Sequence, residues 1–312
     1  MTAPSEDEVL SWFESLSNWG RWGDDDELGT LNLVTPAKRA AAASLVTDGV
    51  TVSCAWDIDS RPRPDHYAGP PQRYMLGTGQ GLNDPGAPRS AGAAEFIGLV
   101  FHGYTVTHID GLSHIFWDGR MYNGQPASKV TAAQGATGNA ITALASGVVT
   151  RGVLLDVAAV RNVDWLEPGA GVMPEDLEAA EARQDVRVEE GDAVLLRTGY
   201  GRRVREKGPE AIGAVGRAGW HAACLPWIAE RGVALIGCDT AQDVIPSGYP
   251  SMRHPVHDVG IVAMGLWLVD NCDLEEVAAA CRQRGRFAFL FLLSPLRVVG
   301  GTGSPVNPLA VF

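Results

Sequence analysis

The densest set of reactive side chains in this 312-residue chain runs Tyr104-Thr105-Val106-Thr107-His108-Ile109-Asp110-Gly111-Leu112-Ser113-His114. Side chains alternate along a strand, so Tyr104, Val106, His108 and Asp110 are expected on one face and Thr105, Thr107 and Ile109 on the other. Gly111 permits a turn that swings His114 back toward the same point. Two imidazoles and a carboxylate around one spot are suitable ligands for Zn²⁺ or Mn²⁺. The same residues also occur as a hydrogen-bonded core histidine and a turn aspartate, and so short a motif recurs by chance. The surroundings decide between the two.

In those surroundings the chain resembles the cyclase family that contains bacterial kynurenine formamidase and isatin hydrolase, whose hallmark is HxGTHxDxPxH. Thr107-His108, Asp110 and His114 fall on that pattern in register. Gly191 to Gly199 and Ala234 to Thr240 look like two of the family's core strands. His257, followed by Val262 to Leu268 and Asp270-Asn271, looks like its downstream metal-binding segment. The resemblance implies hydrolysis of amides, cyclic amides or esters with a divalent metal. It makes His108 and Asp110 metal ligands, His114 a ligand of a second metal or a general base, and His257 and Asp270 the distal imidazole and carboxylate. It also implies a three-layer β/β/α swivelling domain with a mixed sheet or partial barrel, assembled as a homodimer or homotetramer.

The chain departs from the pattern at several positions. Tyr104 stands where the family has its first histidine, Val106 and Leu112 replace the glycine and proline, and Asp270 stands where the formamidases have glutamate. One ligand is therefore missing, and the expected occupancy is one Mn²⁺ or Zn²⁺ rather than two, or none. His102 would share the face of His108 in a regular strand but lies roughly 20 Å of extended chain away, which excludes joint ligation within one straight strand. His254 reaches the site only through a turn at Pro255.

These features give a leading expectation and two alternatives. The leading one is a metal-dependent hydrolase that opens an amide, cyclic amide or ester/lactone bond of a small metabolite, with His108, Asp110, His114, Tyr104 and His257 carrying the chemistry. The second is a cyclase or dehydratase that uses Tyr104 and His114 as acid and base with weak or absent metal. The third is a binding protein that keeps the fold without catalysis. Trp117, Tyr122 and Asn123 supply aromatic surface and an amide for a pocket wall, which suits a cyclic or aromatic substrate. Gln242, at a strand end, can hold a carbonyl or a water. No GxSxG elbow is present, which sets serine-hydrolase chemistry aside.

The elements that must position these residues are short apolar strands alternating with helical segments, the pattern of an α/β protein. Strands are expected at Val50 to Ile58, Ile97 to Tyr104, Thr105 to Ile109, Gly152 to Val157, Ala193 to Thr198, Ala234 to Cys238 and Arg286 to Leu293. Helices are expected after Ser5, after Thr35-Pro36, and at Pro174 to Ala180, Gly219 to Glu230 and Leu274 to Arg284. The Pro/Gly-rich stretch from Ser60 to Ala94 is too long for a mere connection and suggests a lid carrying Tyr67, Tyr74 and Met75. The tail from Gly300 to Pro308 reads as a loop. One domain over 1–312 is expected, with 1–48 as a helical arm packed on it.

A net charge of −12 and a pI near 5.0 argue against a nucleic-acid partner, because phosphate binding draws on lysine and arginine. The acidic N-terminus lacks a secretory pattern, and no apolar run approaches the roughly 20 residues of a membrane span, so a cytoplasmic protein is expected. Cysteines at 54, 224, 238, 272 and 281 have no metal-finger spacing and read as buried small hydrophobes.

Overall fold

Four apolar runs buried on both faces form the middle of the molecule. A computed structural model describes residues 3–312, the side chains at 212 and 213 aside. Strands β1 (Thr51–Ser53), β2 (His108–Asp110), β3 (Val148–Asp156), β4 (Ala193–Arg197), β5 (Leu235–Cys238), β6 (Trp267–Asp270), β7 (Ala288–Leu293), β8 (Gly303–Pro305) and β9 (Leu309–Val311) make one mixed half-barrel sheet in the order β1-β9-β7-β3-β4-β5-β6-β2-β8. The central β3, β4, β5 and β6 run parallel, and β4, β5 and β6 are buried at every residue. Such strands read as continuous apolar runs because neither face meets water. β2 joins antiparallel at one side, pairing Asp270 with His108. Helices Pro36–Ala43, Pro174–Gln184 and Glu275–Arg284 pack on β3.

Residues 3–48 cover the chain's own core. Ser5 caps the helix Glu6–Ser15 by accepting from the Glu8 amide, and Val9 and Trp12 of that helix are buried. Trp19 Nε1 donates to Val262 O at 2.6 Å, and Trp267 Nε1 donates to Leu28 O at 2.7 Å. Within the acid run, Asp26 accepts from the Leu28 and Gly29 amides, Asn32 and the Tyr122 hydroxyl, which makes it a local organiser.

Several expectations need correction, the helix from Gly219 included, since Gly219–Trp220 pairs with Gly171–Val172 and the helix spans only Leu225–Glu230. Residues Ile97 to Ile109 do not form long strands. Ala94–Gly98 pairs with Gln72–Gly77 in a separate, largely exposed two-stranded ribbon, and only His108–Asp110 joins the main sheet. Between them Asn271 takes the place of a ladder, its Nδ2 donating to Gly103 O at 2.8 Å and Val106 O at 3.2 Å. The tail is not a mere loop, for β8 pairs with β2 and β9 with β1 and β7. A Cβ on Gly303 would lie 2.6 Å from Ile109 O, so that pairing requires glycine. Finally, Tyr74 and Met75 sit on the exposed ribbon, Tyr74 stacked on Phe96, and neither lines the site cavity.

All five cysteines are buried and free. No helix of the described residues is long and apolar enough to cross a membrane.

Candidate metal centre

On the short strand β2, His108 and Asp110 share a face as their spacing requires, with Ile109 fully buried on the other. Thr107 anchors the strand's entry by donating to Asn271 O at 2.6 Å and accepting from the Trp56 amide at 3.1 Å. The His108 ring places Nδ1 2.8 Å from Val106 O. A carbonyl can only accept, so Nδ1 donates to it, and Nε2 faces Asp110 Oδ1, 3.4 Å away.

Gly111 supplies the turn. Its amide donates to Thr302 O at 2.8 Å, and a Cβ there would lie 2.8 Å from that same oxygen. The His114 amide closes the turn on Gly111 O at 2.9 Å, and its Nε2 comes to 3.9 Å from Asp110 Oδ1. His102 arrives from the other direction. Because Asn271 bends the chain at 103–106, the His102 ring lies 5.2 Å from that of His108, stacks on His114 at 3.7 Å, and puts Nδ1 2.9 Å from Asp110 Oδ1. The straight strand that excluded His102 does not exist, and this imidazole stands beside Asp110 where Tyr104 does not reach.

The downstream residues come from the carboxyl end of the parallel strands, the usual binding edge of such sheets. Asp270 closes β6; its Oδ1 accepts from Gln242 Nε2 at 2.9 Å, and its Oδ2 lies 3.4 Å from His257 Nε2 and 3.9 Å from His108 Nε2. His257 ends the short helix Pro255–His257. Asp243 organises that helix's start, accepting from the Val256 amide at 2.7 Å and holding His257 Nδ1 at 2.5 Å. His257 Nε2 is thereby left facing Asp110 Oδ2 at 3.5 Å.

Asp110 is nearly completely buried at the centre of these groups, yet neither of its oxygens makes a hydrogen bond, and neither does His102 Nδ1. The 2.9 Å approach of His102 to Asp110 is close enough for one but poorly aligned. Buried polar atoms without partners are costly, and here their lone pairs converge. Two three-residue sets can hold a metal ion, His102/His108/Asp110 and Asp110/His257/Asp270, with Asp110 common to both. Several separations of 3.4–3.5 Å match the donor–donor edge of about 3.3 Å expected for ligands roughly 2.0–2.1 Å from a tetrahedral ion. Three imidazoles and two carboxylates suit Zn²⁺ or Mn²⁺, so the residues fit the ion that the sequence suggests.

The electrostatics agree. Burial would raise the Asp110 pKa, but His114 and the other imidazoles outweigh it and hold the carboxyl well below its ordinary value. Burial opposes charge on His257, but Asp270, Asp110 and Asp243 lift its pKa well above the usual imidazole value. His108 moves the same way, burial again being overcome by Asp110 and Asp270. His114 goes the other way: burial lowers its pKa to about 4 despite the attraction of Asp110.

A cavity of about 460 Å³ opens above the cluster, lined by His102, His108, His114, His257 and Asp270 on one side and by Tyr67, Tyr104 and Ile115 elsewhere. Tyr104 therefore reaches the cavity wall without joining either ligand set. Its ring stands edge-on to Tyr67 at 6.4 Å and carries the Arg217 guanidinium 4.9 Å from its centroid. The loop after the motif does not wall the cavity. Trp117 stacks on Phe13 at 4.7 Å, Tyr122 is buried with its hydroxyl on Asp26, and Asn123 ties down residues 20–26.

His108, Asp110, His114, His257 and Asp270, the residues that the resemblance makes ligands, are brought together at one place, and His102 joins them there. Asp243 and the hydrogen-bonding role of Gln242 were missed. Asp243 carried no local signal, because it reaches the start of the Pro255–His257 helix from twelve residues upstream.

A mixed sheet with a cluster of imidazoles and carboxylates at its carboxyl edge defines an α/β protein whose cluster is compatible with a metal ion. The chain belongs to the Cyclase family, whose model matches residues 36–242. A crystal structure of a novel cyclase is 33% identical, covers 96% of this chain and 99% of its own, and superposes with a TM-score of 0.85. Isatin hydrolase A from Labrenzia aggregata, bound to benzyl benzoate, shares the fold at 18% identity and a TM-score of 0.59, with 86% of this chain and 94% of its own covered. A predicted metal-dependent hydrolase from Bacillus stearothermophilus does so at 16% identity and a TM-score of 0.50, with 84% and 97% covered. No curated protein matches in sequence.

Proposed function

We propose that this protein is a metal-dependent hydrolase that opens an amide, cyclic amide or ester/lactone bond of a small, flat or cyclic metabolite. The observation that carries the reading is Asp110, buried and unpartnered at the meeting point of His102, His108 and His257. His102, His108, Asp110, His257 and Asp270 would hold Mn²⁺ or Zn²⁺. Such an ion, when bound, polarises a carbonyl and acidifies a water.

The chain's own residues supply the remaining work. His114 faces the cavity, and burial lowers its pKa to about 4, so near pH 7 it is a neutral imidazole that can accept a hydrogen bond from the attacking water and relay its proton. Water oxygen joins the acyl carbon, the C–N or C–O bond breaks, and the proton passes to the departing nitrogen or oxygen. The products are a carboxylate and an amine or alcohol. Tyr104 and Tyr67 meet at an interplanar angle of 89°, forming an aromatic corner against which a flat ring packs. The metal-free cyclase or dehydratase alternative was motivated by the histidine lost at position 104; the His102 imidazole beside Asp110 favours the hydrolase reading over it.

Elemental analysis of purified protein is expected to show about one Mn²⁺ or Zn²⁺ per chain, and two if both sets sharing Asp110 fill. A screen of formamides, cyclic imides and lactones is expected to show turnover that a chelator abolishes and added metal restores. Turnover that persists in chelator, with metal far below stoichiometric, would sink the proposal.

A further inference from the structure

Three arginines are buried among the described residues, and two of them are paired with carboxylates. Arg197 contacts Asp156 and Glu275, each at 2.8 Å, and Arg203 contacts Glu210. Arg217, only 2% exposed, has no carboxylate partner among the described residues. Its backbone is fixed, the amide donating to Ile245 O at 2.8 Å and the carbonyl accepting from the Ile245 amide at 3.0 Å. The guanidinium lies against two aromatic rings, 4.9 Å from the centroid of Tyr104 and 4.6 Å from that of Tyr200. Nη2 donates to Tyr104 O at 3.4 Å, while Nε and Nη1 make no hydrogen bond. The ring faces offset part of the charge, but they leave those N–H groups unmet, and an uncompensated buried cation is costly.

Arg217 and Arg203 together line a small pocket of about 10 Å³, with Thr198, Tyr200 and Glu210 also in its wall. That is room for one water or one ion of similar size. Neither arginine lines the cavity above the metal centre. Arg203 brings a further donor, since its Nε makes no hydrogen bond and lies 3.8 Å from Glu167. The remaining polar groups are engaged: Thr198 Oγ1 donates to Asp239 at 2.7 Å, and Glu210 is held by Arg203. Unmet donors require an acceptor, an unpaired buried guanidinium requires negative charge, and the volume admits one atom. A water meets the first and third requirements but not the second. We infer that Arg217 and Arg203 bind one halide ion, chloride under ordinary conditions, in this pocket. Because the Arg217 guanidinium lies on the Tyr104 ring, the filled pocket braces the wall of the metal cavity from behind.

The test compares full-length native protein, Arg217→Met and Glu210→Gln, at equal metal content, in chloride and in methanesulfonate of the same ionic strength. At a chloride concentration tenfold above Kd the native thermal midpoint is expected to rise by about 2 °C, and bromide should do the same. Chloride NMR should show excess line width that bromide competes away. Arg217→Met should bind at least about tenfold more weakly, having lost a charge-assisted contact, and Glu210→Gln should bind more tightly, because the pocket then holds no competing carboxylate. A crystal of the native protein soaked in bromide should show an anomalous scatterer against the Arg217 guanidinium, and this arm stands even if Arg217→Met fails to fold. Water in that position, with a native midpoint indifferent to halide, overturns the inference. Line broadening that Arg217→Met keeps in full places the halide elsewhere and overturns it too. So does a halide effect seen only in Glu210→Gln, which would make Glu210 the counter-ion of Arg217.

Discussion

His257 and Asp270, on the downstream side of the cluster, each have a dedicated partner: Asp243 accepts a hydrogen bond from His257 Nδ1, and Gln242 donates to Asp270 Oδ1. His102 and Asp110, on the upstream side, leave Nδ1 and both carboxylate oxygens without one. The downstream half is thus aimed in advance by neighbours that fix ring orientation and tautomer. On the upstream side His108 Nδ1 is held by Val106 O, but Asp110, at the centre, relies on the surrounding imidazoles for charge compensation and has no hydrogen bond of its own. If an ion binds, its contribution to ordering the chain should therefore be largest on β2 and the bend before it.

Removing the shared carboxylate tests this most severely. Asp110→Asn takes a charged donor from both ligand sets at once, so metal content should fall below about a tenth of an ion per chain and kcat/KM by at least about a thousandfold. Asp270→Asn touches one set and should retain measurable metal. Equal retention by the two variants would erase the asymmetry.

Protons are the next largest lever. His108 and His257 have pKa values raised above the ordinary 6.5, so the metal-free fold keeps protons there through neutral pH. That stability is fully present below about 6.5 and is lost as pH rises through the raised values. His114, lowered to about 4, has the opposite sign: its contribution is present above 6.5 and is lost as pH falls toward 4. An ion must displace the protons on His108 and His257 but none from His114. Metal affinity should therefore rise with pH through the neutral range, by between about ten- and a hundredfold per unit. Competition titrations against an indicator chelator at pH 6, 7 and 8 check this, and a flat profile would show that the cluster is already deprotonated.

A smaller effect is expected from the supporting groups. Asp243→Asn keeps the shape but weakens the hold on His257 Nδ1, and should cost about 10–100-fold in metal affinity. Because Asp243 also accepts from the Val256 amide, the thermal midpoint of the metal-free variant is measured alongside. An affinity loss with no change in that midpoint isolates the effect on the imidazole.

How much of this could be read in advance follows from the same asymmetry. Strands buried on both faces, such as Ala193–Arg197 and Leu235–Cys238, were legible because a continuous apolar run between turn residues has few other homes in an α/β protein. His108 and Asp110 were legible because a two-residue period survives even in a three-residue strand. The path before them was not. Alternating residues from 97 to 107 satisfy the strand pattern, but the backbone at 103–106 is claimed by the side chain of Asn271, more than 160 residues away. A hydrogen bond of that range leaves no local trace, so parity was extended past the point where the strand exists. His102 was lost with it.

Tyr104→His puts the two accounts in direct opposition. If position 104 were the vacant ligand site, an imidazole there would raise metal affinity substantially. In the folded chain His102 stands beside Asp110 at 2.9 Å, while Tyr104 lies on the cavity wall beneath Arg217. The substitution should leave metal affinity within about threefold, since no ligand is gained or lost, and should instead raise KM for aromatic substrates by removing half of the Tyr67–Tyr104 corner. A large gain in affinity would mean that the chain can revert to the family's own spacing, and that the bend set by Asn271 is only one of two arrangements open to it.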